Sequence, residues 1–545
     1  MAFVPGDAFS LFHNHRVVPE HIPKQVHAAM WKSHANVICL AGLFALAAGT
    51  LSLLVGAWGD EAMALSTAGH GPVEATARAR EFELQPPLYF VLLSSWRLLS
   101  GSVFWARMLS VLAVAAAILV AGRYFLPSAA SARHAASPDR ILALLLATSP
   151  IALWAAAEAR VYGLTLGLGI VWVCLFWRSS LAPNRVDNKG RHAGAAGLVV
   201  VSSMLLATQY YTGLLLLAGA PAVLAARGWR PLARYVGLML VVGIVVSPLL
   251  RHVPEQMRLH GANPAPRAEM ATPAVAFAFA VHRVESLMLP PVEAASRVLP
   301  PGLPRRAGVG GARLVLVVLL GLALLQVWRA RSRELAGVFV LPASLALLFL
   351  LLRFRIPDHL LAERHLVSLM PPLLAALAVL LSTASPWLRR TALTLLVAGG
   401  LAVSIVQWAP LAKTGHARDV AAVLDREASE GDVVLVYRPS LAAALALEYH
   451  GPARLVPLPR PLELRRADLT SGSGQSLADT AALAARLDSA LANARGAWLV
   501  LELAPQEVFG RVYFDRFERL IRRRFPPSPP VATFPGVQVR RLSGR

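Results

Sequence analysis

The chain has 545 residues, of which 56% are hydrophobic and only 15% charged, with a formal net charge of +22. So little charge excludes an ordinary soluble globular protein, in which about a quarter of residues are charged. The basic excess is not a nucleic-acid surface either: most of the Arg residues sit at the ends of long uncharged runs, where they set orientation and meet anionic lipid headgroups.

In chain order, residues 1–36 are polar and carry Arg16, Lys24 and Lys32. They are too long for the leading region of a cleaved signal peptide, so the run 37–56 reads as an uncleaved first span after a cytoplasmic N-terminal segment. Segment 57–104 follows as a first outer loop. Within it Pro86 to Leu99 (PPLYFVLLSSWRLL) is apolar but short, begins with Pro-Pro and contains Arg97. It reads as a helix at the outer interface rather than a crossing. Ten further runs have the length and composition of spans: 105–125, 140–157, 161–178, 195–208, 212–226, 234–250, 312–328, 334–352, 365–382 and 391–409.

The positive-inside rule orients these runs. With the N-terminus in the cytoplasm, the cytoplasmic connections are 126–139, 179–194, 227–233, 329–333 and 383–390, each short and basic. The outer side receives 57–104, the Glu158–Arg160 turn, 251–311, 353–364 and everything after about Pro410. The expected architecture is mostly α: a polytopic membrane unit of about eleven helices over 37–410 and a small soluble α/β domain over 411–545. In that tail charges become common. Asp432–Tyr437 (DVVLVY) and Ala497–Leu503 (AWLVLEL) read as buried strands of a parallel sheet, with helical patterns at 415–429, 440–449 and 475–493. The two cysteines, Cys39 and Cys174, lie in apolar runs and offer neither a disulfide framework nor a metal spacing.

Four groups of residues stand out as chemistry. Asp60 and Glu61 follow the first span, in a loop that goes on to Gln85-Pro86-Pro87-Leu88-Tyr89. A loop this long with amphipathic pieces does more than connect, although an acidic pair at a membrane surface is also ordinary solvated flank. Ser149-Pro150 is followed by Glu158, Arg160 and Tyr162 where one span surfaces and the next begins. Acid and Arg so close to hydrocarbon default to a functional reading, against the alternative of an ion pair capping a helix end. Arg353, Arg355, Arg364 and His365 precede Pro371-Pro372 on the outer side. Arg residues that break the positive-inside trend need an anion, and a guanidinium meets phosphate bidentately. Arg251, His252 and Arg258 stand similarly at another span exit, and Gln209-Tyr210-Tyr211 marks an interfacial span end.

Five pieces occur in order: GDEAM at 59–63, QPPLYF at 85–90, SP at 149–150, EARVY at 158–162 and ERHLVSLMPP at 363–372. Together they resemble the membrane glycosyltransferases that use polyprenyl-phosphate sugars. They look like glycosyltransferase family 39, with its mannosyltransferases, and like the aminoarabinose transferase that modifies lipid A, a group of GT-C fold. Gln85 stands where that group often has His, and His365 where it often has Tyr.

The resemblance implies an inverting glycosyltransferase of the cell envelope. It would move a hexosyl or pentosyl group from a polyprenyl monophosphate to a lipid, glycan or protein acceptor at the outer face of the cytoplasmic (inner) membrane. Neither a metal nor a nucleic-acid partner is implied. Asp60 is then the candidate general base, with Glu61 and Glu158 as further catalytic candidates. Arg160, Arg353 and Arg364 would hold phosphate, and Tyr162, Gln85, Tyr89 and Tyr210 would complete the donor site. Two other classes stay open at this point. A ligase acting like the O-antigen ligases would centre on a late outer loop with Arg and His. A transporter would need polar residues at mid-membrane.

Overall fold

A computed structural model describes residues 24–125, 137–181, 188–262, 302–329, 333–353, 367–408, 416–466, 480–503 and 517–542, with isolated positions between them. Helix α1 (Lys24–Leu54) contains the first apolar run. The loop behind it folds into α2 (Gly59–Thr67), α3 (Pro72–Arg78), a π-helical turn over Ala79–Glu83 and α4 (Leu88–Trp96). At 1.5 Å per residue, the nine residues of α4 rise only ~13 Å, less than half of the ~30 Å hydrocarbon. Its apolar run therefore does not cross. Trp96 and Trp105 close the loop: their rings stack 4.6 Å apart, and each indole N–H donates to the other's carbonyl at 2.7 and 3.0 Å.

The remaining apolar runs coincide with helices α5 (Val103–Tyr124), α6 (Pro138–Ala147), α7 (Pro150–Ala156), α8 (Val161–Phe176), α9 (Asn188–Thr208), α10 (Thr212–Arg227), α11 (Trp229–Leu250), α13 (Leu303–Arg329), α14 (Arg333–Arg353), α15 (Met370–Thr383) and α16 (Pro386–Trp408), with the short α12 (Val253–Ala262) between α11 and α13. By length and composition, five helices among the described residues are able to cross a membrane: Ala35–Leu54, Val103–Tyr124, Val161–Leu181, Trp229–Leu250 and Pro386–Val406. The chain is thus a multi-pass membrane protein. Residues 192–208, 212–227, 336–352 and 367–383 form shorter apolar helices. Among the described residues, length and composition alone single out five of the expected crossings.

One expected span is corrected. Run 140–157 is not one straight helix but α6 and α7, bent by 62°. Pro150 denies the residue before it a helical conformation. Ser149 accordingly adopts φ −75°, ψ 123°, and its hydroxyl caps the new helix by accepting from the Ala152 N–H. Gly400 of α16 lies directly against the Thr148 carbonyl at this break, where no Cβ would fit.

A single hydrophobic core joins α4, α5, α7, α8 and α15, with Tyr89, Phe90, Ile118, Tyr162 and Trp172 fully buried. Helix α15 is buried over nearly its whole length. Outward, Ile38, Leu43 and Leu46 of α1, Leu240 and Ile244 of α11, and Leu401 and Ile405 of α16 are exposed. Apolar surface of that extent is what lipid covers.

The tail folds as α17 (Ala417–Glu427), β1 (Val433–Tyr437), α18 (Pro439–Glu448), β2 (Arg454–Leu458), α19 (Thr480–Leu491), β3 (Ala497–Glu502), β4 (Pro530–Phe534) and β5 (Val537–Leu542). The strand order is β2-β1-β3-β5-β4. Two of its four pairings depart from a fully parallel sheet: β1 pairs parallel with β2 and β3, but β5 runs antiparallel to β3 and β4. The expected parallel sheet is thus a mixed one. A two-residue Pro535-Gly536 loop, with Gly536 at φ 79°, turns β4 into β5, and a hairpin can only be antiparallel. Alternate residues of β1 and β3 point to two separate cores. Val434, Val436 and Val500 meet Val420, Leu424 and Leu445, while Leu435, Leu499 and Leu501 meet Leu487, Phe517 and Ile521.

This unit docks on one end of the helical part. Arg418 Nη1 donates to the carbonyls of Leu53 and Leu54, at the end of α1, at 2.7 and 3.1 Å. Glu448 pairs with Arg418 at 2.9 Å and accepts from the Ala57 N–H at 2.8 Å. Arg465 bridges Glu74 and Glu81 at 2.7 and 3.2 Å. Arg466 pairs with Glu255. Ala62, Ala417 and Ala444 are buried together, so α2 and α18 approach closely.

Candidate active site

The site grows from the start of α2. Asp60 and Glu61 occupy its first turn, where the helix dipole favours negative charge. Their fates differ. Glu61 is fully buried and held bidentately by Arg107, which is equally buried, at 2.7 and 2.6 Å. Arg107 also donates to the carbonyls of Ser52, Val55 and Gly56 at 2.6, 2.6 and 3.1 Å. Those carbonyls belong to the last turn of α1 and just beyond, where a cation is favourable. Glu61 further accepts from the Ala159 N–H at 2.8 Å. The Arg107–Glu61 pair thus ties four segments together at one point: α5, α2, the end of α1 and the Glu158–Arg160 turn.

Asp60 stays accessible, its side chain 41% exposed. Arg160 holds it from behind, donating to the Asp60 main-chain oxygen at 2.9 Å and standing 4.0 Å from the carboxylate. The same guanidinium reaches Glu83 at 3.4 Å and packs over the Tyr162 ring. Burial opposes the Arg160 charge, but Tyr162, Glu83 and Asp60 around it hold its ionisation above the usual value. Glu83 is buried too. Burial pushes its carboxyl above the usual carboxylate range, against Arg160 and the Thr67 hydroxyl, which donates to it at 3.1 Å. Glu158 is 1% exposed and lies within electrostatic reach of Arg107 and Tyr89.

A second cluster adjoins the first through the Ala79–Glu83 turn. Glu83 faces Arg160; three residues earlier, Arg80 faces Tyr210 and His252. The Gln256 side-chain N–H donates to the Arg80 carbonyl at 3.1 Å, and Arg251 Nε approaches His252 at 3.4 Å. Slight burial, then Arg80 and Arg251, hold the His252 imidazole below its ordinary value, so neighbouring cations already crowd the position. Arg80 Nε, Gln85 Oε1 and Gln209 Oε1 are buried without a hydrogen-bond partner, although buried polar atoms as a rule have one. Tyr210 also borders an apolar cavity of about 550 Å³ between α10, α11 and α14, walled by Tyr211, Leu214, Tyr235, Met239 and Leu352.

Of the residues singled out in the sequence, the structure brings Asp60, Glu61, Glu158, Arg160, Tyr162 and Tyr89 into one neighbourhood. Tyr210 belongs to the adjoining cluster with Arg251 and His252. Arg258 points elsewhere and pairs with Glu255 at 2.8 Å. Arg355, Arg364 and His365 lie outside the described residues, as does the Arg353 side chain. Arg80, Glu83 and Arg107 join these clusters without having been singled out in the sequence. For Arg107 the signal is present: an Arg within an apolar run of span length, at the end opposite Arg123.

No protein-family model and no curated protein matches the chain. Among solved structures, it is similar to ArnT from Cupriavidus metallidurans in the apo state, at 15% identity over 94% of this chain and 98% of that one, with a TM-score of 0.43. The same protein bound to undecaprenyl phosphate gives 15% identity over 92% and 97%, with a TM-score of 0.38. The oligosaccharyltransferase of Archaeoglobus fulgidus, tethered to an acceptor peptide containing an NVT sequon, gives 11% identity over 93% and 73%, with a TM-score of 0.48.

Proposed function

We propose that this chain is an inverting glycosyltransferase that moves a sugar from a polyprenyl monophosphate to an acceptor hydroxyl at the outer face of the cytoplasmic membrane. The observation that carries this reading is an accessible Asp60 carboxylate, anchored by Arg160, whose neighbour Glu83 shares a turn with Arg80, while Arg80 in turn faces Tyr210 at the border of an apolar cavity. A polyprenyl phosphate has matching parts: an apolar chain for the cavity, a phosphate for the cations, and a sugar beyond it.

In this mechanism the acceptor oxygen attacks the anomeric carbon while its proton passes to the Asp60 carboxylate. The bond from that carbon to the phosphate oxygen breaks, and its electron pair leaves on the polyprenyl phosphate. Attack opposite the leaving group inverts the sugar carbon. Arg80 and Arg251 face the growing phosphate charge, with the His252 imidazole, held toward its neutral form, between them, and fixed cations in a partly dry site favour such charge without reorganising. Arg353 and Arg364 remain phosphate partners on the sequence argument. Arg160 keeps Asp60 in place, its charge adding to the field. Glu61, neutralised by Arg107, serves as a strut in this reading rather than as a proton acceptor, and Glu158 orients the Asp60 region. Gln85 and Tyr89 line the donor side.

The test is mass spectrometry of outer-surface glycans and lipids from cells with and without the protein. A sugar-bearing species should appear only with it. An Asp60→Asn protein should reduce that species by ~10²–10⁴-fold, the usual worth of a general base. Full product from Asp60→Asn sinks the assignment and favours a ligase that centres on the late loop.

A further inference from the structure

We infer that the soluble unit completes the active site, with Arg438 and Glu502 as positioning residues that bind hydroxyl groups of a sugar acceptor opposite Asp60. This rests on the transferase reading above.

Four observations on the fold lead here. First, β1 has β2 on one side and β3 on the other, both parallel to it. The chain therefore leaves β1 in one direction and returns in the other, which makes the carboxyl ends of β1 and β3 a topological switch point, the place where open α/β sheets bind ligands. Second, those two ends carry Arg438, the residue after β1, and Glu502, the last residue of β3. They pair at 3.3 Å, each side chain one-third exposed. Third, Arg438 has φ 84°, a backbone conformation that suits glycine and is rare for any other residue. Its N–H donates to the Leu458 carbonyl at 3.2 Å, and its own carbonyl accepts from the Ala442 N–H at 3.0 Å. Both bonds involve main chain only, so they explain the turn but not the Arg side chain. Strain of this kind gathers at functional positions.

Fourth, this end of the sheet faces the catalytic helix. Ser440, in the first turn of α18, stands so close to Gly59 that a Cβ there would lie 3.0 Å from the Ser440 Cβ. Asp60 is the next residue, and its carboxylate lies within electrostatic reach of Glu502. Burial pushes the Glu502 carboxyl up; Arg438 pulls it down, and Asp60 raises it further. The pair offers a hydrogen-bond acceptor and a donor side by side with no net charge. That matches adjacent hydroxyls of a sugar ring better than a phosphate or an amine. An acceptor lying between the sheet end and α2 would then present one hydroxyl to Asp60.

The experiment uses cells lacking the chain, supplied with the full-length protein as wild type, Arg438→Gly, Arg438→Lys or Glu502→Gln, and reads the sugar-bearing product by mass spectrometry. The purified proteins are also melted and titrated with undecaprenyl phosphate by native mass spectrometry. Arg438→Gly and Glu502→Gln should each lower the product by about 10–100-fold, the scale of a misplaced substrate, while binding undecaprenyl phosphate as wild type does. Arg438→Gly should melt at or above the wild-type temperature, because it relieves the backbone, and Arg438→Lys should restore part of the product. A product on either a glycan or a glycolipid sugar supports the proposal. A product on a protein side chain alone overturns the acceptor class. Unchanged product in both variants, or loss of undecaprenyl phosphate binding in either, overturns the positioning role. Identical glycans and lipids with and without the wild-type chain would instead remove the transferase reading itself, and this inference with it.

Discussion

Two adjacent acids at the start of α2 have opposite surroundings. Glu61 is sealed against Arg107, whereas Asp60 faces outward. Removing one partner of a buried pair leaves the other charge uncompensated, at a cost of ~3–5 kcal/mol. Arg107→Ala should therefore lower the thermal midpoint sharply in detergent, and the joint change Arg107→Met with Glu61→Leu should recover much of the loss. Asp60→Asn should melt as wild type does. An Arg107→Ala protein of wild-type stability would refute the strut assignment. These residues also show what was legible. Asp60, Glu61, Glu158 and Arg160 each stand at the edge of an apolar run, so their polarity is conspicuous. Arg107 is diluted by the run around it. Arg438 and Glu502 look like ordinary ends of the runs VVLVY and WLVLE, and only the strand order sets them side by side.

At the scale of elements, helices were readable because hydrocarbon allows the chain few other conformations. Their breaks are less so: Ser149-Pro150 stands out as a motif, but its consequence, a 62° bend, depends on where the Thr148 carbonyl finds room. Strands β2, β4 and β5 escaped because they are short, polar on one face or interrupted by Pro457. The docking of sheet on loop could not be read at all, since Arg465 and Glu74 are neighbours only in space. That docking carries a pH dependence. The Arg78 hydrogen bond, with Arg465 beside it, holds Glu74 below its ordinary 4.5. Arg258, with Arg466, does the same for Glu255. A carboxyl depressed in the fold contributes fully above its unfolded value and loses that contribution as pH falls through the folded one. The contacts should hold above about pH 5 and loosen toward pH 3. Hydrogen exchange of 72–87 and 460–466 should rise over that window, while β1 and β3 stay protected. Equal protection at both ends of the window would show that the ion pairs do not hold the unit in place.

For the molecule as a whole, the arrangement makes sense only if the bundle end that bears Asp60 faces the compartment where the acceptor lies. The end of α1, the start of α2, the Glu158–Arg160 turn and the soluble sheet all meet at that end. Under the proposed function that end lies outside, and the charge bias of the basic connections expected at 227–233 and 383–390 assigns those to the cytoplasm. The prediction is topological. A phosphatase that folds only outside the cytoplasm, fused after residue 542, should be active, and the same enzyme inserted at Gly228 should be silent. Substituted cysteines at Ser440 and Trp387, in a protein lacking Cys39 and Cys174, should react oppositely with a membrane-impermeant maleimide added to intact cells: the first labelled, the second protected. The reverse pattern would put the Asp60 cleft in the cytoplasm, where no polyprenyl-phosphate sugar presented to the outer leaflet could reach it.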